Sequence, residues 1–69
     1  MAESVYKIIE LVGTSDKSWD DATAAAVAKA GATLRDLRVA EVTKLDVTIE
    51  DGKVKNYRAR LTLSFKYGD

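Results

Sequence analysis

The sequence predicts an α+β domain whose elements run strand, helix, strand, strand, and three local patterns carry that prediction. Residues Val5 to Ser15, VYKIIELVGTS, alternate at period two. From Trp19 onward apolar residues recur at spacings of three and four. Asp51-Gly52 then separates two β-rich runs, as a tight hairpin turn does. There is no linker, low-complexity tract, Pro or internal repeat, so residues 1–69 read as one domain.

In the first strand Val5, Ile9 and Leu11 point one way and Tyr6, Ile8 and Val12 the other, interrupted only by Lys7 and Glu10. Both faces are therefore largely apolar. One helix-sized segment covers one of them, and the other is expected to meet a different subunit. Gly13 and the following TSDKS read as the loop that ends this strand. Ser18 is a good helix N-cap, with Asp21 a shorter stand-in for the Glu of a capping box and Asp20 favouring the positive end of the dipole.

The segment WDDATAAAVAKAGATLRDL, Trp19 to Leu37, reads as the helix. Its stripe of Trp19, Ala22, Ala26, Ala30, Thr33 and Leu37 is broadened by Val27 and Leu34. Small residues along the stripe predict close approach to a sheet. Lys29, Arg35 and Arg38 lie towards the C-terminal end, where cations suit the dipole, and Gly31 is expected to mark a tight contact.

The second strand changes parity. Its apolar residues are Ala40 and Val42, then Leu45, Val47 and Ile49, which predicts a bulge or bend near Thr43 and Lys44. A two-residue turn at Asp51-Gly52 sets Val42 opposite Leu61 and Ala40 opposite Leu63. Continued unchanged, that register sets Leu45 opposite Arg58 and Val47 opposite Asn56, as if both faces were used. The last strand alternates cleanly, with Tyr57, Ala59, Leu61, Leu63, Phe65 and Tyr67 on one face and Arg58, Arg60, Thr62, Ser64 and Lys66 on the other.

Eleven basic and eleven acidic residues cancel, so no overall field attracts nucleic acid or an anionic membrane, and neither is expected as a partner. No apolar run is long enough to span a bilayer. The opening MAESVYK lacks a basic segment followed by an apolar one, which gives a cytoplasmic protein as the expectation. Cys and His are both absent. That removes disulfides, the usual structural zinc ligands, the commonest acid–base group and the best nucleophile, so the reading is not an enzyme. A core of this size supplies only about 3–5 kcal/mol, which leaves oligomerisation as the available staple. Two acidic clusters, Asp16, Asp20 and Asp21 and then Glu50 with Asp51, fit capping and turn chemistry and lack EF-hand spacing. In a symmetric assembly, however, one carboxylate per subunit becomes a ring about an axis.

The opening VYKIIELVGTS, the capped SWDDA helix and the terminal YRARLTLSFK together resemble the dodecin family over nearly the whole chain. The resemblance implies an antiparallel three-stranded sheet wrapped around one helix, with twelve subunits forming a hollow shell that stores or sequesters a small ligand. The family ligand is a flavin, riboflavin or flavin mononucleotide, bound in pairs at subunit interfaces. The corresponding Trp, Arg and Gln positions are Val39, Asp46 and Arg58 here, so all three cofactor-binding positions are substituted and weak flavin binding is expected. Asp46 is expected to repel the carbonyl edge of the ligand. The only Trp, Trp19, belongs to the helix. The replacements resemble those of a calcium-binding subgroup, which makes calcium the alternative ligand, with no residue set assigned to the ion.

Overall fold

The structure is a computed structural model and describes residues 3–67. Its elements are β1 (Tyr6–Ser15), α1 (Trp19–Gly31), β2 (Leu37–Glu50) and β3 (Lys53–Lys66), in the predicted order. The strands form one antiparallel sheet in the order β1-β3-β2. The chain therefore crosses from one edge to the other through α1 and returns by a hairpin to fill the middle. At that hairpin Glu50 pairs with Lys53, and Asp51 (φ 54°) and Gly52 (φ 75°) both take left-handed backbone. Two positive φ values in a two-residue loop match the right-handed twist of the flanking strands.

Helix α1 begins as expected. Ser18 is extended (φ −167°, ψ 165°), and its hydroxyl accepts from the Asp21 N–H at 3.0 Å. Asp21 does not return the contact as a capping-box residue. Its Oδ2 instead accepts from the buried Ser15 hydroxyl at 2.7 Å, while Ser15 Oγ accepts from the Lys17 N–H at 2.9 Å. The side chain is one carbon shorter than Glu, and the end of β1 supplies a nearer donor.

The helix is shorter than its periodicity suggests, ending at Gly31 instead of Leu37. The N–H groups of Thr33 and Leu34 both turn back to the Ala30 carbonyl, and Asp36 takes φ 59°, which redirects the chain into β2. Leu34 and Leu37 still pack on the core, one from a turn and one from a strand, so the apolar spacing outlives the helix. Arg35 and Arg38 consequently lie outside it, leaving Lys29 as the basic residue of the last turn.

Ala22, Ala26 and Ala30 face Ala59, Leu61 and Leu63, and these six residues make up the buried apolar core among the described residues. Four are Ala. Leu61 and Leu63 each contribute about 1.5–3 kcal/mol by burial, and the alanines much less, so the subunit's own core is thin. The close contact lies at Gly13, not Gly31. A Cβ on Gly13 would stand 2.0 Å from the Ala22 carbonyl oxygen, whereas one on Gly31 would meet nothing nearer than Leu37 Cδ1 at 3.8 Å. Gly13 is accordingly inside β1, opposite Ala59, and does not begin a loop.

Irregularities in register resolve the parity problem of β2. Pairing runs Ala40 to Leu63 and Val42 to Leu61, skips Thr43, and resumes with Leu45 opposite Ala59 and Val47 opposite Tyr57. The expected bulge is present. The pairings expected between it and the turn, Leu45 with Arg58 and Val47 with Asn56, are not, because an unpaired Lys55 on β3 shifts the register by one and Thr43 on β2 restores it. A second irregularity skips Lys55 and sets Ile49 opposite Val54, and a third skips Arg38. The bulge at Thr43 thus keeps Ala40, Val42, Leu45 and Val47 on the helix side of the sheet.

The helix covers only part of that side. Val42, Leu45, Ile49 and Val54 stay exposed along β2 and the hairpin, and Tyr6, Ile8 and Val12 stay exposed on the opposite face of β1. Because β1 ends at Ser15 opposite Tyr57, the hairpin continues alone past sheet and helix, giving extents of 56 × 20 × 14 Å. No helix among the described residues is long and apolar enough to cross a membrane.

The two glycines give opposite expectations. Gly13→Ala forces helix and strand apart and is expected to destabilise by about 1–3 kcal/mol, in the range of core overpacking. Gly31→Ala is expected to leave stability unchanged or raise it by up to about 1 kcal/mol through helix propensity. Thermal unfolding of the two variants side by side checks both; equal effects would contradict the assignment of the close contact to Gly13.

Candidate functional site

In the stretch between the irregularities at Lys55 and Thr43, Asp46 lies directly opposite Arg58. The two form a bidentate ion pair, with Arg58 Nε donating to Asp46 Oδ1 at 2.7 Å and Nη2 donating to Oδ2 at 2.9 Å. Fork-to-fork geometry of this kind is the strongest arrangement open to the two groups. The Arg58 guanidinium holds the Asp46 carboxyl below its ordinary value, chiefly through these hydrogen bonds, and Arg60 adds a smaller electrostatic contribution. The Arg58 pKa is raised in turn by the same contact. Asp46 therefore presents no free carboxylate to repel a ligand's carbonyl edge, contrary to the expectation from sequence. Each charge neutralises the other.

Helix α1 reaches the same place from the other side of the sheet. Trp19 Nε1 donates to the Asp46 backbone carbonyl at 3.0 Å, and the indole meets the Tyr57 ring edge-on with centroids 5.1 Å apart and planes at 78°. Tyr57 precedes Arg58 in β3, so Trp19, Asp46, Arg58 and Tyr57 close a ring of contacts around the β2–β3 pairing. The sequence places Trp19 on the apolar stripe of the helix and gives it no part in the site. Counting the hairpin register through the unpaired Lys55 places Asp46 opposite Arg58, but nothing in the sequence specifies the indole hydrogen bond.

Val39 is elsewhere. It pairs with Ser64, is 63% exposed, and borders a recess of about 180 Å³ that is also lined by Val27, Leu37, Arg38, Ala40 and Leu63. Seven positions of strand separate it from Asp46, roughly 20 Å at the usual rise. One subunit does not bring Val39 together with Asp46 and Arg58. A group touching all three needs at least two subunits. The recess is also smaller than the roughly 300 Å³ at which ligand pockets begin, and it offers no aromatic ring to a planar ligand. For a cation the position is similar: among the described residues, no three carboxylates converge within one subunit.

An open sheet that wraps one thin-cored helix, leaves apolar residues on both faces and keeps Val39 apart from Asp46 and Arg58 defines a class of subunits with apolar surface left to share with other chains. The chain belongs to the dodecin family. The dodecin family model matches residues 5–68. A calcium dodecin of Mycobacterium tuberculosis is 43% identical over 63 residues, covering 91% of this chain and 89% of the relative, and a dodecin of Thermus thermophilus is 44% identical over 62 residues, covering 90% of each. Among solved structures, the dodecin from Streptomyces coelicolor superposes with a TM-score of 0.93 at 39% identity, covering 100% of this chain and 99% of the other. The M. tuberculosis calcium dodecin, described with a calcium-binding site, superposes with a TM-score of 0.85 at 42% identity, covering 94% and 93%. Dodecins are small binding and storage proteins that assemble as shells.

The depressed Asp46 pKa fixes the sign of a pH effect. A carboxyl whose folded pKa lies below its unfolded value contributes stability that is fully present above the unfolded value and is lost as pH falls through the folded one. Asp46→Asn is therefore expected to unfold at a lower temperature than the parent at neutral pH, with the difference closing as the solution is acidified below the ordinary carboxylate range. Thermal unfolding of both proteins across that range checks this; a difference that persists unchanged in acid would contradict it.

Proposed function

We propose that this chain, one domain per subunit, builds a hollow homododecameric shell that binds and stores a small ligand and does not catalyse a reaction. The observation that carries the reading is the uncovered apolar surface on both faces of the sheet, together with ligand positions that one subunit cannot bring together. The chemistry agrees, since the chain lacks His and Cys and the bidentate carboxylate–guanidinium contact among the described residues is self-neutralised.

Val39, Asp46 and Arg58 stand at the family's flavin positions, and their character favours weak flavin binding. Val39 supplies no ring for stacking. Arg58 can donate hydrogen bonds but accepts none, and two of its nitrogens are already engaged by Asp46. Calcium is a second reading, favoured by the 43% identity to a calcium dodecin. A calcium ion would be held by carboxylates of more than one subunit, because hard cations take six or more oxygens and no single subunit gathers three carboxylates among its described residues.

Two measurements separate the ligands. Riboflavin titrated into the assembled protein, followed by flavin fluorescence, is expected to bind weakly. Val39→Trp is expected to strengthen that binding at least tenfold, about 1.4 kcal/mol, by restoring a buried aromatic surface. If the variant binds no better than the parent, Val39 does not face the flavin. Metal analysis of the purified shell before and after chelation is expected to show calcium in a fixed ratio to subunits under the second reading, and no stoichiometric metal under the first.

A further inference from the structure

The face of the sheet turned away from α1 carries a concentration of positive charge of which the flavin reading uses only Arg58. Arg58 and Arg60 project from the central strand on this face, alternating with the buried Ala59 and Leu61 on the other. Across from them on β2 stand Asp46, opposite Arg58, and Lys44, opposite Arg60. Three cations thus occupy four neighbouring positions, with Asp46 as the one anion among them.

Asp46 is fully engaged by Arg58. Lys44 and Arg60 take part in none of the ion pairs among the described residues, which are Arg38–Asp36, Lys55–Glu50 and Arg58–Asp46. Like charges placed directly opposite on neighbouring strands destabilise a sheet. The next row of the same face holds Glu10 and Glu41 on either side of Thr62, and neither closes onto Lys44 or Arg60. Val12, on the other side of Arg60, is apolar and exposed.

We infer that Lys44, Arg58 and Arg60 form an oxyanion site for phosphate or a phosphate-bearing small molecule, part-filled from within the chain by the Asp46 carboxylate. In this arrangement Asp46 is a resident stand-in for ligand oxygens: it takes the bidentate face of Arg58, as a phosphate does. Lys44 and Arg60 remain free to hold a further oxyanion, and that ion relieves their mutual repulsion. The lowered Asp46 pKa, caused chiefly by its hydrogen bonds to Arg58 with a smaller electrostatic contribution from Arg60, agrees with a positive potential from these two arginines. Strand register brings the three cations together on one face, and Arg58 is shared with the flavin position of the proposed function.

The test uses the assembled protein and inorganic phosphate, titrated by calorimetry at constant ionic strength with chloride as the control salt. Trp19 fluorescence gives a second readout, because the indole is hydrogen-bonded to the Asp46 carbonyl. The parent is expected to bind phosphate saturably and in preference to chloride. Asp46→Asn removes the competing carboxylate and is expected to bind at least tenfold more tightly. Lys44→Gln and Arg60→Gln, each made in the parent so that the Asp46–Arg58 contact is kept, are expected to weaken binding at least tenfold. Phosphate behaving no differently from chloride in both the parent and Asp46→Asn would overturn the proposal. So would loss of assembly without loss of phosphate affinity in the Lys44 and Arg60 variants, which would instead mark the cations as partners of a carboxylate on a neighbouring subunit. Should Asp46→Asn fail to assemble, the parent and the two single Gln variants still decide the matter.

Discussion

The rest of the structure depends on how closely α1 lies on the sheet. Gly13 in β1 admits the Ala22 carbonyl, and the stripe of Ala22, Ala26 and Ala30 presents nothing larger than a methyl group to Ala59, Leu61 and Leu63. A helix seated that near to β1 and β3 gains packing there and leaves β2 largely uncovered. The sheet is wider than its helix and the hairpin is longer than both. Apolar side chains along β2 and the hairpin, and those on the far side of β1, consequently have no partner within the subunit. Such a subunit loses solvent-exposed apolar area only by meeting further copies, and a closed symmetric assembly does so without leaving free surfaces.

The same geometry keeps Val39 apart from Asp46 and Arg58. The recess beside Val39 lies where the helix has ended and β2 begins, while the Asp46–Arg58 pair lies near the helix N-terminus, where Trp19 reaches over to β2. Dodecins assemble as shells and bind small ligands, so under the proposed function ligand binding and assembly are parts of one problem for this chain.

Much of this was legible in the sequence because it rests on local rules. Period-two alternation placed β1 and β3, Ser18 placed the helix start, and Asp51-Gly52 fixed the hairpin. Where the reading failed, a long-range fact had overridden a local pattern. Leu34 and Leu37 keep helical spacing but are held by a turn and a strand, because Asp36 in left-handed backbone redirects the chain. Gly13 looked like punctuation, and its role is set by a helix carbonyl nine residues later in the chain. The bulge at Thr43 follows from the parity of β2, whereas the meeting of Asp46 and Arg58 depends on a second irregularity at Lys55, which no parity change in the apolar pattern marks. The positions at which a family resemblance sets the ligand were readable as substitutions, whereas the neutralisation of one by another was not.

The most direct measurement of the central claim is sedimentation velocity over a dilution series down to micromolar subunit, combined with near-ultraviolet circular dichroism as a monitor of packed aromatic side chains. The account predicts a single large species of twelve subunits of 7.5 kDa each, and, wherever dissociation occurs, loss of the Trp19–Tyr57 signal in step with loss of the assembly. A stable monomer that keeps its aromatic signal at micromolar concentration would contradict it, because such a subunit would be folding on its thin core alone.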